Sequence, residues 1–246
     1  MDRDFQAAYH VHEGAHWWSV GRRDMIVRLL DAAAIGPEAR VLDVGCASGR
    51  LVEMLRARGH ERVVGVDLSE EAIDACRRRG VADVHVMPAD LLEVPDASFD
   101  VLVASDVLEH IEDDDRALRE WRRVVAPGGI LVIFVPAHMF LWSQHDVANH
   151  HHRRYDAATL ARRIEEAGLQ LERMSGWNLG LLPPAAAVRS WRRLVHSNDR
   201  PHHDLQMPSP WLNQVLTRML FAENALLQRR DLGPGISLFA VARRPA

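Results

Sequence analysis

The chain has 246 residues, 48% of them hydrophobic and 26% charged, with a formal net charge of −4. That length suits one α/β domain with an elaboration, or two small domains, and the composition is that of a chain able to bury a sizeable core. No overall basic field invites nucleic acid. No run reaches the ~18 apolar residues that a membrane span needs. With no lysine present, Schiff-base chemistry and a P-loop lysine are excluded.

The charge is unevenly spread: acids dominate up to residue 176, and arginines outnumber them from 177 to 246. The opening MDRDFQAAYHVHEG is polar and lacks the apolar core of a signal peptide, and Cys46 and Cys76 are the only cysteines. No disulfide framework follows from two cysteines, and the cytoplasm is the expected compartment.

In chain order, Met25–Ala34 is apolar at helical spacing and Arg40–Val44 reads as a short buried strand. Leu51–Arg58 reads as a helix and Arg62–Val66 as a second strand. Ser69 is an N-cap for a helix over Glu70–Arg79, with acids in its first turn, arginines in its last and Gly80 after it. Asp83–Met87 and Phe99–Ala104 are the next strands. Asp114–Val125 is a helix stopped by Pro127-Gly128-Gly129, and Ile130–Val135 is a fully apolar strand. Ala157–Ala167 is a helix and Leu169–Ser175 a strand. Strands alternating with helices of about ten residues indicate βαβ units and a parallel sheet.

The stretch 177–232 breaks that rhythm with Pro183-Pro184, helix-like runs at Ala185–Val195 and Trp211–Arg229, and a polar segment, SNDRPHHDLQMPSP, between them. GISLFAVARR at 235–244 reads as a last strand. The expected organisation is an N-terminal helical cap (1–35), a core (36–176), a helical insertion or lid (177–232) and a final core strand (233–246).

The strongest local signal is VLDVGCASGR at 41–50. A buried strand ends at Asp43-Val44-Gly45 and passes through Cys46 into a helix. Glycines at 45 and 49 admit a ligand where a Cβ would clash. A dinucleotide site would want G-x-G-x-x-G with a pyrophosphate at the helix N-terminus. Here the pattern is G-x-x-x-G with Asp43 beside it, which suits a cationic amino-acid or sulfonium ligand. The second strand ends near Asp67, placed to accept from two ribose hydroxyls, and Asp90 follows the third strand, placed to accept from an adenine amino group.

VLDVGCASG, VVGVDLS, ADLLEVPDASFD, VASDVLEHIED and WRRVVAPGGILVIFVP, in this order, resemble the class I S-adenosylmethionine (SAM)-dependent methyltransferases. The resemblance covers roughly residues 36–176 and the last strand. It implies a doubly wound, mostly parallel seven-stranded sheet of the Rossmann-like methyltransferase type, with a helical insertion before the last strand. It implies SAM as cofactor and S-adenosylhomocysteine as product. Gly45, Cys46 and Gly49 would then line the methionine part, Asp67 would hold the ribose with Leu68 against the adenine, and Asp90 and Leu91 would meet the adenine edge. Backbone at Ser105 would receive the methionine ammonium.

Ahead of the sheet, HWWSVGRR (16–23) offers Trp17 or Trp18 to cover that pocket and Arg22 or Arg23 as a fork for the methionine carboxylate. After the fifth strand comes PAHMFLWSQHDVANHHHRRYD, leaving the sheet edge at which open α/β sheets bind ligands. A loop of about twenty residues is usually functional. His145 and His150 are candidate bases for the acceptor's proton, with His138 and His110 behind them. Arg153 and Arg154 read as a clamp for a carboxylate or phosphate, with Tyr155 as a donor to the same group and Trp142 beside it. Asp146, His145 and His150 could supply metal ligands, but no two-by-two zinc spacing is present and no metal is expected.

Trp177, Trp191, Trp211, Met207 and Met219 would line an apolar acceptor pocket or form a dimer face. The function expected is methyl transfer to a small-molecule acceptor, a specialised metabolite bearing a carboxylate or phosphate, or else an isoprenoid or lipid-linked phosphate. A nicotinamide-dependent oxidoreductase is the reading from another class; the missing G-x-G-x-x-G and the impossibility of Tyr-x-x-x-Lys count against it. Base methylation of nucleic acid is disfavoured because SDVLEH stands where N/D-P-P-Y/F would be.

Overall fold

The computed structural model describes residues 13–195 and 207–246, apart from the side chains of 190 and 192–195. The first twelve residues of the expected cap and the segment 196–206 lie outside the described residues.

The elements are α1 (Trp17–Ala32), β1 (Val41–Val44), α2 (Arg50–Ala57), β2 (Val63–Asp67), α3 (Glu70–Arg78), β3 (Val84–Val86) and β4 (Phe99–Ser105). They continue with α4 (Asp114–Val124), β5 (Val125–Pro136), α5 (Gln144–Ala148), α6 (Ala157–Glu166), β6 (Gln170–Trp177), α7 (Leu182–Val195), α8 (Pro210–Leu227) and β7 (Ser237–Arg243). The seven strands form one sheet in the order β3-β2-β1-β4-β5-β7-β6. The first five run parallel, and β7 is antiparallel to both β5 and β6.

The strand order reverses at β1, whose two neighbours are β2 and β4, so the C-terminal ends of β1, β2 and β4 open onto the crevice in which such sheets bind ligands. One face of the sheet packs against α4 and α6 through Leu118, Trp121, Leu160 and Ile164. The other face packs against α1, α2, α3 and α8 through Ile26, Leu55, Ile73 and Leu220. The central strands are covered on both sides, so β1 is buried along its whole length and β4 from Val101 to Ala104.

Several boundaries differ from expectation. The first helix starts at Trp17, eight residues early, because tertiary partners extend it: Gly21 lies against Leu220 of α8, and Asn224 Nδ2 donates to the Gly21 carbonyl at 2.9 Å. β5 begins at Val125 rather than Ile130. Pro127-Gly128-Gly129 lies inside it at a register shift opposite β4, where a Cβ on Gly129 would stand 2.7 Å from the Asp100 carbonyl oxygen. β3 is only three residues long. Between β6 and β7 the chain forms α7 and α8. Among the described residues no helix is long and apolar enough to cross a membrane.

Candidate active site

The turn after β1 is built by left-handed backbone. Gly45 and Gly49 have φ of 72° and 74°, and Ala47 between them has 47°. A Cβ on Gly45 would sit 2.4 Å from Val107 Cγ2, so no other residue fits there. The turn is pinned to β2, because the Gly45 and Cys46 amides donate to the Val66 carbonyl at 2.8 and 3.0 Å. The Cys46 side chain is buried, and hydrogen bonding with Cys76 together with burial pushes its thiol far up, so it is a packed residue and not a nucleophile.

Asp67 closes the same turn from the end of β2. Its Oδ2 accepts from the Ala47 amide and its Oδ1 from the Ser69 amide, each at 2.9 Å. The carboxylate is thereby oriented at the strand end. Asp43 is buried one strand over, and burial first, then Glu13 and Asp67, raises its carboxyl well above the usual range. Glu13 reaches the turn as well: Ser48 Oγ donates to its Oε2 at 2.6 Å. Leu68 and Leu91, at the ends of β2 and beyond β3, are exposed. Asp90 stands 3.7 Å from Arg116 Nε.

Arg22 is the buried cation of this crevice. α1 carries it to the end of β4, where Nη1 donates to Ser105 Oγ at 3.0 Å and to the Asp106 carboxylate. Its guanidinium carbon stands 4.5–5.0 Å from the ring centroids of Trp177, Phe134 and Trp18, a cation–π enclosure. Nε and Nη2 are buried without a hydrogen-bond partner. Arg23 turns the other way, donating to the Glu13 carbonyl at 3.1 Å. Asp106, His138 and Asn178, next to the ends of β4, β5 and β6, all have positive φ of 57–62°. Non-glycine residues in that conformation concentrate at functional sites.

The loop after β5 is ordered by an interior ion pair. Asp146 is fully buried; its Oδ1 accepts from Arg154 Nε at 2.7 Å and lies 3.0 Å from His151 Nδ1. Burial opposes that charge, but His151 and Arg154 hold the Asp146 carboxyl below the usual carboxylate range. Arg154 also donates to the Ala137 carbonyl at 3.1 Å. Arg154 therefore supports the loop from inside and is not part of an anion clamp. Tyr155 is likewise corrected. It is 1% exposed, its hydroxyl donates to Asp114 Oδ2 at 3.0 Å, and burial pushes its ionisation far up. The phenol lies at the inner wall of the cleft beside Arg153, held by Asp114.

Arg153 keeps partial exposure, is paired with Asp114 at 2.8 Å, and borders a cleft of about 510 Å³ with Glu112, Met139, Thr159 and Arg163. His150 is exposed, and His145 stacks edge-on to His151 at 6.2 Å. His138 is half-buried, stacked on Phe140, and burial first, then Arg154, lowers its pKa. Trp142 is also half-buried. Trp177 lies in the core and donates through Nε1 to Asn224 Oδ1 at 2.8 Å; it forms part of the Arg22 enclosure and not of an acceptor wall. Trp191, Trp211 and Met219 are exposed on α7 and α8.

The sequence reading passed over Glu109 and gave His110 and His151 little or no weight, although the structure joins them. Glu109 and His110 sit in the 3-10 turn Leu108–His110 after β4, and the His110 and His151 rings meet edge-on at 4.6 Å. Burial, then His151, pushes the His110 pKa down to about 3, so its ring is neutral. The signal available was an acid–histidine pair directly after a strand end, with a histidine run on the next loop along the same edge.

The sequence profile of the family described as "Methyltransferase domain" matches residues 42–133. The chain is 31% identical over 174 residues to a ubiquinone biosynthesis O-methyltransferase of Xanthomonas oryzae pv. oryzae, covering 63% of this chain and 71% of that one. It is 27% identical over 243 residues to a probable S-adenosylmethionine-dependent methyltransferase of Mycolicibacterium smegmatis, covering 95% and 91%. Among solved structures, the methyltransferase bound to the Trm112 activator of Haloferax volcanii aligns with a TM-score of 0.62 at 21% identity, over 99% of this chain and 95% of that one.

Proposed function

The chain belongs to the class I SAM-dependent methyltransferases, and from that premise we propose that it methylates an oxygen of a small-molecule acceptor bearing a carboxylate or phosphate. The observation that carries the cofactor's placement is Arg22, a buried guanidinium with two unpartnered nitrogens at the end of β4. A buried fork of that kind matches a carboxylate, and the methionine part of SAM supplies one. The sulfonium then lies over the Gly45–Gly49 turn, the ribose at Asp67, and the adenine among Leu68, Asp90 and Leu91. The methionine ammonium faces the Ser105 backbone, with the Asp43 carboxyl behind the turn.

The methyl group then points toward the loop after β5. An acceptor oxygen attacks it in line, the S–CH3 bond breaks, and sulfur keeps the electron pair as S-adenosylhomocysteine leaves. Holding the two reactants about 3 Å apart is most of what the protein must do. His145 and His150 are the proton acceptors on the rim, with His138 and Trp142 at its floor. Arg153 supplies the anion contact, exchanging Asp114 for the acceptor's charged group. The ubiquinone-pathway relative is an O-methyltransferase by name, which agrees with an oxygen acceptor.

A lipid-linked phosphate is the second reading, favoured by the exposed Trp211, Val215 and Met219, which recur every fourth residue along α8. The test is turnover of methyl-labelled SAM with hydroxy acids, phenols, phosphate esters and isoprenyl phosphates, read as S-adenosylhomocysteine and labelled product. Labelled ether or ester from an anionic acceptor is expected. Turnover confined to amines would overturn the proposal.

A further inference from the structure

We propose that Glu109, His110 and His151 form a binding site for one divalent first-row transition-metal ion at the junction of the β4 end and the loop after β5. One donor atom from each residue lies within 4.8 Å of the others. Ligands about 2.1 Å from a tetrahedral ion stand about 3.4 Å apart, so small side-chain rotations complete the set. Two imidazoles and one carboxylate suit zinc, cobalt or iron and do not suit calcium or magnesium, which take oxygen ligands.

Two further observations point to a ligand. Glu109 is 0% exposed, and neither carboxylate oxygen has a hydrogen-bond partner on another described residue. An unpaired buried carboxylate costs several kcal/mol unless something cationic meets it. His151 is also held as a metal ligand is, with the Asp146 carboxylate 3.0 Å from its Nδ1, which leaves the other ring nitrogen for the ion. Glu109 is fixed in turn, because the His152 amide donates to its carbonyl at 2.8 Å, tying the turn to the loop. His110 and His151 are partly exposed, which gives an ion its entry. The sequence reading placed a hypothetical metal on Asp146, His145 and His150. The structure assigns Asp146 to the support of His151 and leaves His150 exposed.

Resting on the methyltransferase reading, the ion's role is to hold the acceptor. Three protein ligands would leave coordination positions for an acceptor oxygen, in the turn that follows the β4 end where Arg22 meets Asp106. A hydroxyl oxygen bound there loses its proton more readily. The proton passes to His145 or His150 at the rim, the oxygen–methyl bond forms as the sulfur–methyl bond breaks, and nothing is oxidised.

The test separates binding from catalysis. Chelator-treated full-length protein is titrated with Co(II) without SAM, following visible d–d absorption, and with Zn(II) by calorimetry. One equivalent with the intense bands of four- or five-coordinate cobalt is expected. His110→Gln and Glu109→Gln should each lower affinity at least tenfold, with S-adenosylhomocysteine affinity retained; His110→Gln stands alone if the buried change prevents folding. No saturable binding would overturn the site, as would binding unchanged by His110→Gln. Full methyl transfer by the stripped enzyme would overturn the role, and failure of all SAM binding would sink the methyltransferase reading while leaving the cobalt result standing.

Discussion

The Tyr155 hydroxyl donates to Asp114 Oδ2 at 3.0 Å, joining the end of the histidine-rich loop to the first turn of α4. The same oxygen is 2.8 Å from Arg153 Nη1, so Asp114 ties both residues to α4. Tyr155→Phe removes one hydrogen bond and leaves Asp114 paired with Arg153. The expected cost is about 1 kcal/mol of stability, with kcat changed less than twofold. Denaturant unfolding and steady-state kinetics check this, and a collapse of kcat at intact stability would return the phenol to the chemistry.

Arg154 and Asp146 form a fully buried ion pair at 2.7 Å. Arg154→Met leaves a buried carboxylate short of a partner, a loss of about 3–5 kcal/mol. Because the folded state depresses the Asp146 carboxyl, the stability this residue contributes is complete above the ordinary carboxylate range near pH ~4. It fades as pH falls through the depressed value. Acid unfolding of wild type and of Arg154→Met gives the comparison: the variant should unfold at higher pH. Coincident curves would mean that the pair contributes nothing to folding.

Asp67 faces two backbone amides and, on the proposed placement, two ribose hydroxyls. Asp67→Ala should weaken S-adenosylhomocysteine binding at least about tenfold through the lost hydroxyl partners. Asp67→Asn keeps one acceptor oxygen and should fall between. Calorimetry of the three proteins suffices, and equal affinities would remove the ribose from this strand end.

Arg153→Ala should raise the acceptor's KM with SAM affinity unchanged, because its guanidinium borders the cleft beside Asp114, Met139 and Thr159 and not the glycine turn. An equal loss of SAM affinity would place that arginine on the cofactor.

The alternation of strands and helices, the glycine turn and the Ser69 cap were legible because each rests on local chemistry. Ser69 Oγ accepts from the Ala72 amide at 3.2 Å, as an N-cap serine should. Arg22 was legible as one of two adjacent arginines, and only packing against α8 and the sheet chose between them. The roles of Arg153, Arg154 and Tyr155 were not legible, because burial decides them. The segment is extended, with Tyr155 bridging to Ala137, so neighbouring side chains part company, Arg154 inward to Asp146 and Arg153 outward to the cleft. Trp177 read as a pocket wall because its position under α8 depends on Asn224, 47 residues further on. Glu109 was missed because nothing in a polar LEHIEDDD marks which of its acids, Glu109 and Asp114, the fold seals in.

The direct test of the central claim compares S-adenosylhomocysteine with 5′-methylthioadenosine, which lacks the amino-acid end, on wild type and on Arg22→Met. Wild type should prefer S-adenosylhomocysteine at least about tenfold, ~1.4 kcal/mol, and the variant should lose most of that preference while binding methylthioadenosine as before. An undiminished preference in Arg22→Met would contradict the account.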